Sequence, residues 1–189
     1  LSFGADNRSL VYSSERNGKR DLYIAKISRK EDLNFPNATL IEEEPLIHDK
    51  KLERDYPQFS PDGKEVAFIE DRNRLMVVNL DTKKVRQVTD GSTWYTRSGG
   101  FDYSWSPDGK WFTLEFIGNK HDPYSDIGLV SADGKGQIIN LTNSGYTSGS
   151  PRWVMGGNAI LFITERYGMR NHASWGSLND VMIAFLNQD

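Results

Sequence analysis

Phe59-Ser60-Pro61-Asp62-Gly63-Lys64 is a short stretch that returns 46 residues later as Trp105-Ser106-Pro107-Asp108-Gly109-Lys110. Trp153-Val154-Met155-Gly156-Gly157-Asn158 and Phe3-Gly4-Ala5-Asp6-Asn7-Arg8 are two further, eroded copies. In the two full copies, Pro stands where a turn needs a φ of about −65°, and Gly stands where φ is positive. A period of about 40–50 residues built from short strands is typical of a β-propeller.

Apolar residues two positions apart follow each of these turns, which predicts a second strand with one buried face. The pairs are Leu10 and Tyr12, Val66 and Phe68, Phe112 and Leu114, and Ile160 and Phe162. A third strand is predicted to begin at Asp21, Arg74, Asp126 and Asp180, at spacings of 53, 52 and 54 residues. Fourth strands are predicted at residues 39–41, 87–89 and 140–142.

The fold class that follows is all-β. We predict a β-propeller of about four four-stranded antiparallel blades, over residues 1–47, 56–90, 101–142 and 150–189. The last copy lacks a fourth strand, so we expect the chain to be part of a larger propeller. An incomplete array leaves its end faces exposed, since each blade buries its faces against its neighbours. A β-sandwich is the alternative, although a sandwich does not usually repeat one strand at a fixed spacing.

Composition narrows the classes of partner. The 189 residues carry a formal net charge of −3, which argues against a nucleic-acid partner because such a partner needs a basic face. The chain has no cysteine, so disulfides and thiolate metal sites are excluded. No apolar run approaches the 18 or so residues of a membrane helix, so no membrane span is expected.

Motifs that carry catalysis are missing from the sequence. There is no Gly-x-Ser-x-Gly elbow, His-Glu-x-x-His motif, P-loop or Gly-x-Gly-x-x-Gly. His48, His121 and His172 are scattered, so a zinc site would have to be assembled across blades. The acidic residues that open three of the third strands favour a structural hydrogen bond over catalysis. We therefore expect no catalytic residue, no metal site and no cofactor in this chain.

Long loops gather on one face of the predicted propeller. The loops between second and third strands and the loops between blades share this face, at residues 42–55, 90–102, 118–125, 143–150 and 166–179. Function concentrates on loops held by a rigid scaffold, and Arg and aromatic residues dominate binding surfaces. The candidate ligand-binding residues are Arg97, Tyr124, Arg166, Tyr167, Arg170, His172 and Trp175. Alternatively, the arginines pair with Glu15, Glu70 or Glu165.

The repeat resembles a known group of propellers. The aromatic-Ser-Pro-Asp-Gly-Lys element, together with Leu141-Thr142-Asn143, is similar to the blades of bacterial Tol-system propellers. The same blades form the N-terminal propellers of dipeptidyl-peptidase, prolyl-oligopeptidase and tricorn-type proteases. Residues 12–18, and residues 162–170 with the stretches 173–176 and 180–181, resemble a tricorn-type blade. The resemblance covers essentially the whole chain.

This resemblance implies a non-catalytic module of a tricorn-like serine peptidase, which binds or gates peptide substrates for a peptidase domain of the same polypeptide. The alternative is a stand-alone protein-binding propeller resembling the periplasmic Tol-system protein. A propeller enzyme with carboxylates on its axis is a weaker third hypothesis, because the first strands offer Gln58, Ser104 and Arg152 there. The resemblance favours a periplasmic or extracellular location. Whether the parent protein is an enzyme stays uncertain.

Overall fold

The computed structural model describes residues 1–16, 18–47, 52–95, 99–118, 123–169 and 177–187. The chain divides into two compact units, Leu1–Gly100 and Phe101–Asp189. Each unit contains two antiparallel sheets whose strands neighbour one another in chain order. The prediction of an all-β chain of tandem antiparallel sheets is confirmed. No helix within these described ranges is long and apolar enough to cross a membrane.

The first unit contains two four-stranded sheets. Sheet 1 consists of β1 (Ser2–Phe3), β2 (Ser9–Ser14), β3 (Asp21–Ile27) and β4 (Ile41–Pro45). Sheet 2 consists of β5 (Arg54–Phe59), β6 (Glu65–Glu70), β7 (Arg74–Asn79) and β8 (Val85–Gln87). A short 3-10 helix, Phe35–Asn37, lies in the loop before β4.

The second unit repeats this plan. Sheet 3 consists of β9 (Tyr103–Trp105), β10 (Trp111–Phe116), β11 (Asp126–Ser131) and β12 (Ile139–Asn140). Sheet 4 consists of β13 (Ser148–Val154), β14 (Ala159–Thr164) and β15 (Asp180–Phe185). A second 3-10 helix, Met155–Gly157, joins β13 to β14.

The turn between first and second strands is held by the side chains of its own motif. In sheet 2, the Ser60 hydroxyl donates to the Asp62 carboxylate (2.6 Å) and accepts the amide of Glu65 (3.0 Å). The Lys64 amide donates to the same carboxylate (3.1 Å). The hydroxyl of Ser60 and the amide of Lys64 hold the pKa of Asp62 below its usual value. Gly63 has a φ of 71°, as the predicted turn requires.

The third sheet repeats these contacts. The Ser106 hydroxyl donates to Asp108 (2.6 Å) and accepts the Trp111 amide (2.9 Å), and Gly109 has a φ of 69°. In the first sheet Asn7 takes the glycine position with a φ of 54°. Asn tolerates this region better than most residues, so the eroded copy keeps the same backbone turn.

The core of each unit lies between its two sheets. In the first unit, Val11, Leu22 and Ile24 of sheet 1 form one apolar cluster with Val66 and Phe68 of β6. In the second unit, Ile127 of sheet 3 clusters in the same way with Ile160 and Phe162 of β14. Within each unit, the apolar pair of the second sheet, Val66 with Phe68 or Ile160 with Phe162, is therefore what that sheet presents to the first sheet.

The fourth strands differ from the predicted positions. They are Ile41–Pro45, Val85–Gln87 and Ile139–Asn140, so the first lies later than residues 39–41 and the other two end earlier than expected. The early ends have a common cause. The Thr89 hydroxyl accepts the amide of Leu75 (2.9 Å), and the Thr142 hydroxyl accepts the amide of Ile127 (3.1 Å). A side chain thus replaces the next backbone acceptor of the ladder.

The left-handed turn gives a direct test of stability. A β-carbon at Gly63 would meet no atom within 4 Å, so only the backbone strain of its φ of 71° opposes substitution. We expect Gly63→Ala to lower the free energy of unfolding by about 1–2 kcal/mol, measured by urea titration. Gly63→Asn should lose clearly less, because Asn tolerates positive φ. Lys64→Ala serves as the control in the same turn, and equal losses for Ala and Asn at position 63 would contradict the assignment.

Candidate functional site

The loops between second and third strands leave their sheets at one edge, which we call the loop edge. Recurring backbone hydrogen bonds fix the strand ends at this edge. The Arg54 amide donates to the Arg20 carbonyl (2.9 Å), and the Ser148 amide donates to the Ser125 carbonyl (2.8 Å) in the second unit. Each bond ties the start of one sheet to the preceding sheet's loop. The scaffold of the loop edge is therefore the same in both units.

A second recurring bond holds each loop from the other side. The Asp71 amide donates to the Glu53 carbonyl (2.9 Å), and the Glu165 amide donates to the Thr147 carbonyl (3.0 Å). In the second unit the Ser125 hydroxyl also donates to the Ser148 carbonyl (2.9 Å). Apart from the Ser125 hydroxyl, these bonds join backbone groups, so the loop side chains can differ from sheet to sheet without breaking them.

Three of the seven candidate residues lie in described parts of the chain. Tyr124 precedes β11 and is 44% exposed. Arg166 and Tyr167 follow β14, and the Arg166 guanidinium carbon lies 5.2 Å from the centre of the Tyr167 ring. Tyr167 is 64% exposed. Among these three residues, Arg166 and Tyr167 contact each other. The other four candidates lie outside the described residues: Arg97, Arg170, His172 and Trp175.

Parts of the predicted long loops are strand. Residues 42–45 belong to β4, which begins at Ile41, and Arg54 and Asp55 begin β5. Ser148–Val154 likewise includes the end of a predicted loop. Pairing explains the first case, because Glu42, Glu43 and Glu44 each face a residue of β3 in antiparallel register. These two loops at the loop edge are therefore shorter than the sequence predicts.

A cleft with both signs of charge opens at the loop edge of the first unit. It has a volume of about 160 Å³, and Glu15, Arg20, Glu53, Tyr56 and Arg72 are among its lining residues. Arg20 donates to Glu15 (2.6 Å) and also pairs with Asp55. Arg72 lies 3.5 Å from Glu53. Exposed pairs of this kind contribute little to stability, so their side chains can exchange partners with a bound molecule at low cost.

Below this cleft lies a buried ion-pair cluster. Arg54 is buried, and its guanidinium lies 3.2 Å from Glu70 and 3.3 Å from Asp21. Arg74 reaches Glu70 (3.4 Å) and Asp71 (2.8 Å). Glu15 and Glu70, the alternative partners of the candidate arginines, are therefore paired with Arg20 and with Arg54 and Arg74. Because Arg54 and Glu70 belong to sheet 2 and Asp21 belongs to sheet 1, the cluster joins the two sheets of the first unit.

The first strand of sheet 2, beside the cleft, contains a residue with a strained backbone. Tyr56 has a φ of 55° at a β-bulge between Asp55 and Gln58, directly before Pro57. Ser150 has a φ of 52° at the equivalent bulge of β13. A non-glycine residue in this conformation costs on the order of 1–3 kcal/mol. Because the positive φ occurs at the same position in both units, it is a feature of the repeat and not of the cleft. The two units differ in the side chain at this position, which is a half-exposed tyrosine in the first unit.

Sequence reasoning did not find the cleft. Arg20 comes from the loop that precedes β3, and Arg72 comes from the three-residue connection between β6 and β7, which is not among the predicted long loops. Arg20 meets Asp55 across 35 positions of sequence. The feature of the sequence that points to the cleft is the group of charged residues before a predicted strand, which includes Glu15, Arg16 and Arg20.

Glu115 links the two sheets of the second unit. Its carboxylate accepts the amides of Ser150 (2.7 Å) and Asp102 (3.3 Å), and the Ser150 hydroxyl donates to Asp102 (3.0 Å). A β-carbon at Gly149 would lie 2.5 Å from a Glu115 oxygen, so a side chain there would require the Glu115 carboxylate to move. Burial raises the pKa of Glu115 above its ordinary 4.5, and the nearby Asp102 charge adds to the rise, while the two amides oppose it.

The raised pKa predicts a pH effect of known sign. Between 4.5 and the folded-state pKa of Glu115, the folded protein binds more protons than the unfolded chain, so this residue lowers stability as pH rises. We expect Glu115→Gln to gain stability relative to the parent as pH rises from about 4.5 towards neutrality. Urea unfolding across this range measures the difference.

The matched control is Glu42→Gln, which changes an exposed carboxylate of β4. The glutamine variant can differ from the parent by a fixed amount because its amide packs differently, so the slope with pH is the quantity compared. A parallel pH dependence for Glu115→Gln and the parent would contradict the assignment.

The acidic residues at two of the strand starts make hydrogen bonds and ion pairs. Within the described ranges, no group of three or more His, Asp or Glu side chains is arranged to hold a metal ion. Asp126, at the start of β11, accepts from the Thr142 hydroxyl (2.5 Å) and the Ser144 amide (3.0 Å). Asp21, at the start of β3, instead pairs with Arg54. Both are structural, but they make different bonds.

Comparison with curated proteins finds two kinds of relative, and no family model matches the chain. The Tol-Pal system protein TolB of Francisella tularensis is 25% identical over 153 residues, which cover 77% of this chain and 31% of that protein. A tricorn-like protease C-terminal subunit of Sulfurisphaera tokodaii is 27% identical over 141 residues, covering 72% and 15%. The chain therefore spans about a third or less of the length of these relatives.

Solved structures show the same two likenesses. A TolB structure from Agrobacterium tumefaciens superposes with a TM-score of 0.64 at 18% identity, over 97% of this chain and 60% of that one. The tricorn protease gives a TM-score of 0.64 at 13% identity, over 95% and 17%. The β-propeller domain of the trilobed protease from Pyrococcus furiosus gives 0.55 at 12% identity, over 97% and 52%. The predicted β-propeller fold is confirmed, as is the resemblance to Tol-system and tricorn-type propellers.

Proposed function

We propose that this chain is a non-catalytic propeller module of a tricorn-like serine peptidase, and that it binds peptide substrate at the loop edge. The observation that carries the proposal is the exposed pair Arg166 and Tyr167. The guanidinium can receive a peptide carboxylate through two parallel hydrogen bonds, and the ring offers a flat apolar face beside it.

Position supports this role. The pair follows β14 directly, and the Glu165 backbone before it is tied to Thr147 (3.0 Å). The Arg166 amide also approaches the Thr164 hydroxyl (3.4 Å). The main chain beneath the pair is therefore held, while the side chains remain exposed. A held backbone lowers the entropy lost when a flexible peptide binds.

The cleft of the first unit offers a second set of peptide contacts. A peptide carries a cationic amino terminus, an anionic carboxyl terminus and apolar side chains. Arg20, Arg72 and Glu53 supply both signs of charge in one cavity, and Tyr56 supplies an aromatic surface. This mixture suits a zwitterionic chain better than a ligand of a single charge.

A second candidate function is docking of a folded protein, as the resemblance to the Tol-system propellers implies for a stand-alone propeller. It is supported by the likeness to TolB, which is 25% identical over 153 residues. In this case the loop edge is again the contact surface, but the ligand is a folded surface and no peptidase domain is involved.

Anisotropy of fluorescein-labelled peptides tests the first function. We use a panel of hexapeptides, each with a free or an amidated carboxyl terminus. Arg166→Ala should weaken binding of the free-carboxylate peptides about tenfold, since a hydrogen bond to a charged group is worth about 1.5–3 kcal/mol. Arg166→Lys should fall between parent and Ala, because it keeps the charge and loses the paired geometry.

The control is Lys135→Ala, which removes a highly exposed cation at the turn between β11 and β12, away from the loop edge. It should leave the affinity unchanged. Equal affinity of all variants for both peptide forms would remove Arg166 from the proposal. Binding of folded proteins with no binding of any peptide would favour the second function.

A further inference from the structure

The second unit has a cleft between its two sheets, at the edge opposite the loop edge. The turns between first and second strands, residues 106–110 and 155–158, lie at this edge, which we call the turn edge. The cleft has a volume of about 510 Å³. Its apolar walls are Trp111 and Leu129 of sheet 3, Trp153 of sheet 4, and Leu186 directly after β15. Ligand sites in proteins have mostly apolar walls and volumes of about 300–1,000 Å³.

The first unit has a cleft at the same place, with a volume of about 330 Å³. One backbone bond recurs beside both clefts. The Leu80 amide donates to the Lys64 carbonyl (2.9 Å), and the Leu186 amide donates to the Asn158 carbonyl (2.9 Å). Sheet 2 has its fourth strand, β8, and the cleft beside it is open. The opening therefore comes from the way two successive sheets meet, and a fourth strand does not fill it.

The two clefts differ in charge. The first-unit cleft is lined by five charged residues: Asp6, Lys26, Asp62, Lys64 and Asp81. In the second unit the places of Asp62, Lys64 and Asp81 are taken by uncharged residues: Gly156, Asn158 and Asn187. Asp108, the equivalent of Asp6, is the one charged residue among the described residues that line the second-unit cleft. This cleft thus combines a single negative charge with apolar walls.

Two tryptophans of this cleft stand where the first unit has smaller side chains. Trp111 begins β10 in the place of Ser9, and Trp153 takes the place of Phe59. The Trp153 indole donates to the Ser104 carbonyl of sheet 3 (3.1 Å), which fixes its ring between the sheets. Trp111 is 37% exposed, so part of its ring is open to a ligand. Among aromatic side chains, tryptophan attracts cations most strongly.

Asp108 presents a fixed carboxylate to the cleft. One of its oxygens accepts the Ser106 hydroxyl (2.6 Å) and the Lys110 amide (3.1 Å), and these two donors hold the pKa of Asp108 below its usual value. The other oxygen lies 4.0 Å from the Lys110 ammonium, whose side chain is 77% exposed. An exposed pair of this kind contributes little to stability, so a cation of a ligand can replace the ammonium at low cost.

We propose that the turn-edge cleft of the second unit binds an arginine side chain of a polypeptide partner. The guanidinium is a flat, weakly hydrated cation that stacks on aromatic rings and pairs with carboxylates. Trp111 and Trp153 contact its faces and its apolar stem, and Asp108 neutralises its charge. A neutral apolar ligand would cover this carboxylate without pairing it, and an acidic ligand would be repelled by it.

The rim of the cleft offers bonds to the partner's main chain. The Asn187 amide nitrogen donates to the Asn158 carbonyl oxygen (3.2 Å). Each asparagine has two N–H donors and an acceptor oxygen, so this one bond leaves capacity for a peptide group. The site lies at the edge opposite the loop edge, and the proposal does not depend on peptide binding there.

Nuclear magnetic resonance of the isotope-labelled chain tests the proposal. The probe is the pentapeptide acetyl-Gly-Gly-Arg-Gly-Gly-amide, and the control peptide carries citrulline, the neutral isostere of arginine. The chain has five tryptophans, whose indole N–H signals are assigned with Trp-to-Phe variants. The arginine peptide should shift the signals of Trp111 and Trp153 with a dissociation constant of about 1 mM. The citrulline peptide should bind about tenfold more weakly, because it lacks the cation.

Variants assign the contacts. Trp111→Ser installs the residue of the first unit and should weaken binding of the arginine peptide about fivefold. Asp108→Asn should weaken it about threefold, and Lys110→Ala should strengthen it about twofold because the competing ammonium is gone. The matched control is Asp62→Asn, which makes the same change in the same turn of the first unit and should leave the affinity unchanged.

Several results would overturn the proposal: equal affinity for the arginine and citrulline peptides, no shift of the Trp111 and Trp153 signals, or equal losses for Asp108→Asn and Asp62→Asn. Argininamide that binds as tightly as the peptide would overturn the polypeptide partner. If Asp108→Asn does not fold, Lys110→Ala decides together with sodium chloride, which should weaken binding to the parent chain. Arg166→Ala should not alter these affinities, so failure here is distinguishable from failure at the loop edge.

Discussion

The turn between first and second strands is the constraint on which the rest of the structure depends. Its aspartate accepts hydrogen bonds from the hydroxyl and amide of residues on either side, and its glycine supplies a positive φ. Together they fix the register of the two strands. In a strand a slip of one residue would move every side chain to the other face. Because Val66 and Phe68 are two apart, the turn decides that both point at the preceding sheet.

Once the faces are fixed, the sheets need few specific bonds to stack. The apolar pairs supply the area, and polar contacts between neighbouring sheets supply the alignment. Ser13 with Asp55 performs this role in the first unit, and Glu115 with the Ser150 amide performs it in the second. The two contacts use different side chains, but Ser13 and Glu115 both occupy the fifth position of a second strand. The repeat therefore conserves geometry within the molecule while it changes the residues that create it.

The sequence predicts one part of the candidate site and not the other. The loop edge could be predicted, because four antiparallel strands must place alternate connections at one end. Residue type alone makes Arg166 and Tyr167 candidates, and the structure places the two side chains next to each other. The cleft could not be predicted, since Arg20 acquires its partner Asp55 only when two sheets meet. The strained Tyr56 was also invisible, because its bulge arises from pairing between β5 and β6 and leaves no local signature apart from Pro57.

The sequence by itself determined the repeat, the strand order and the inward apolar pairs, because turn chemistry and a period of two act over a few neighbouring residues. Tertiary structure alone decided which charges are buried in pairs and where the fourth strands stop. These features depend on groups far apart in the chain. Arg54 gives the reason, because it is buried beside Glu70, 16 positions later in the chain, and Asp21, 33 positions earlier.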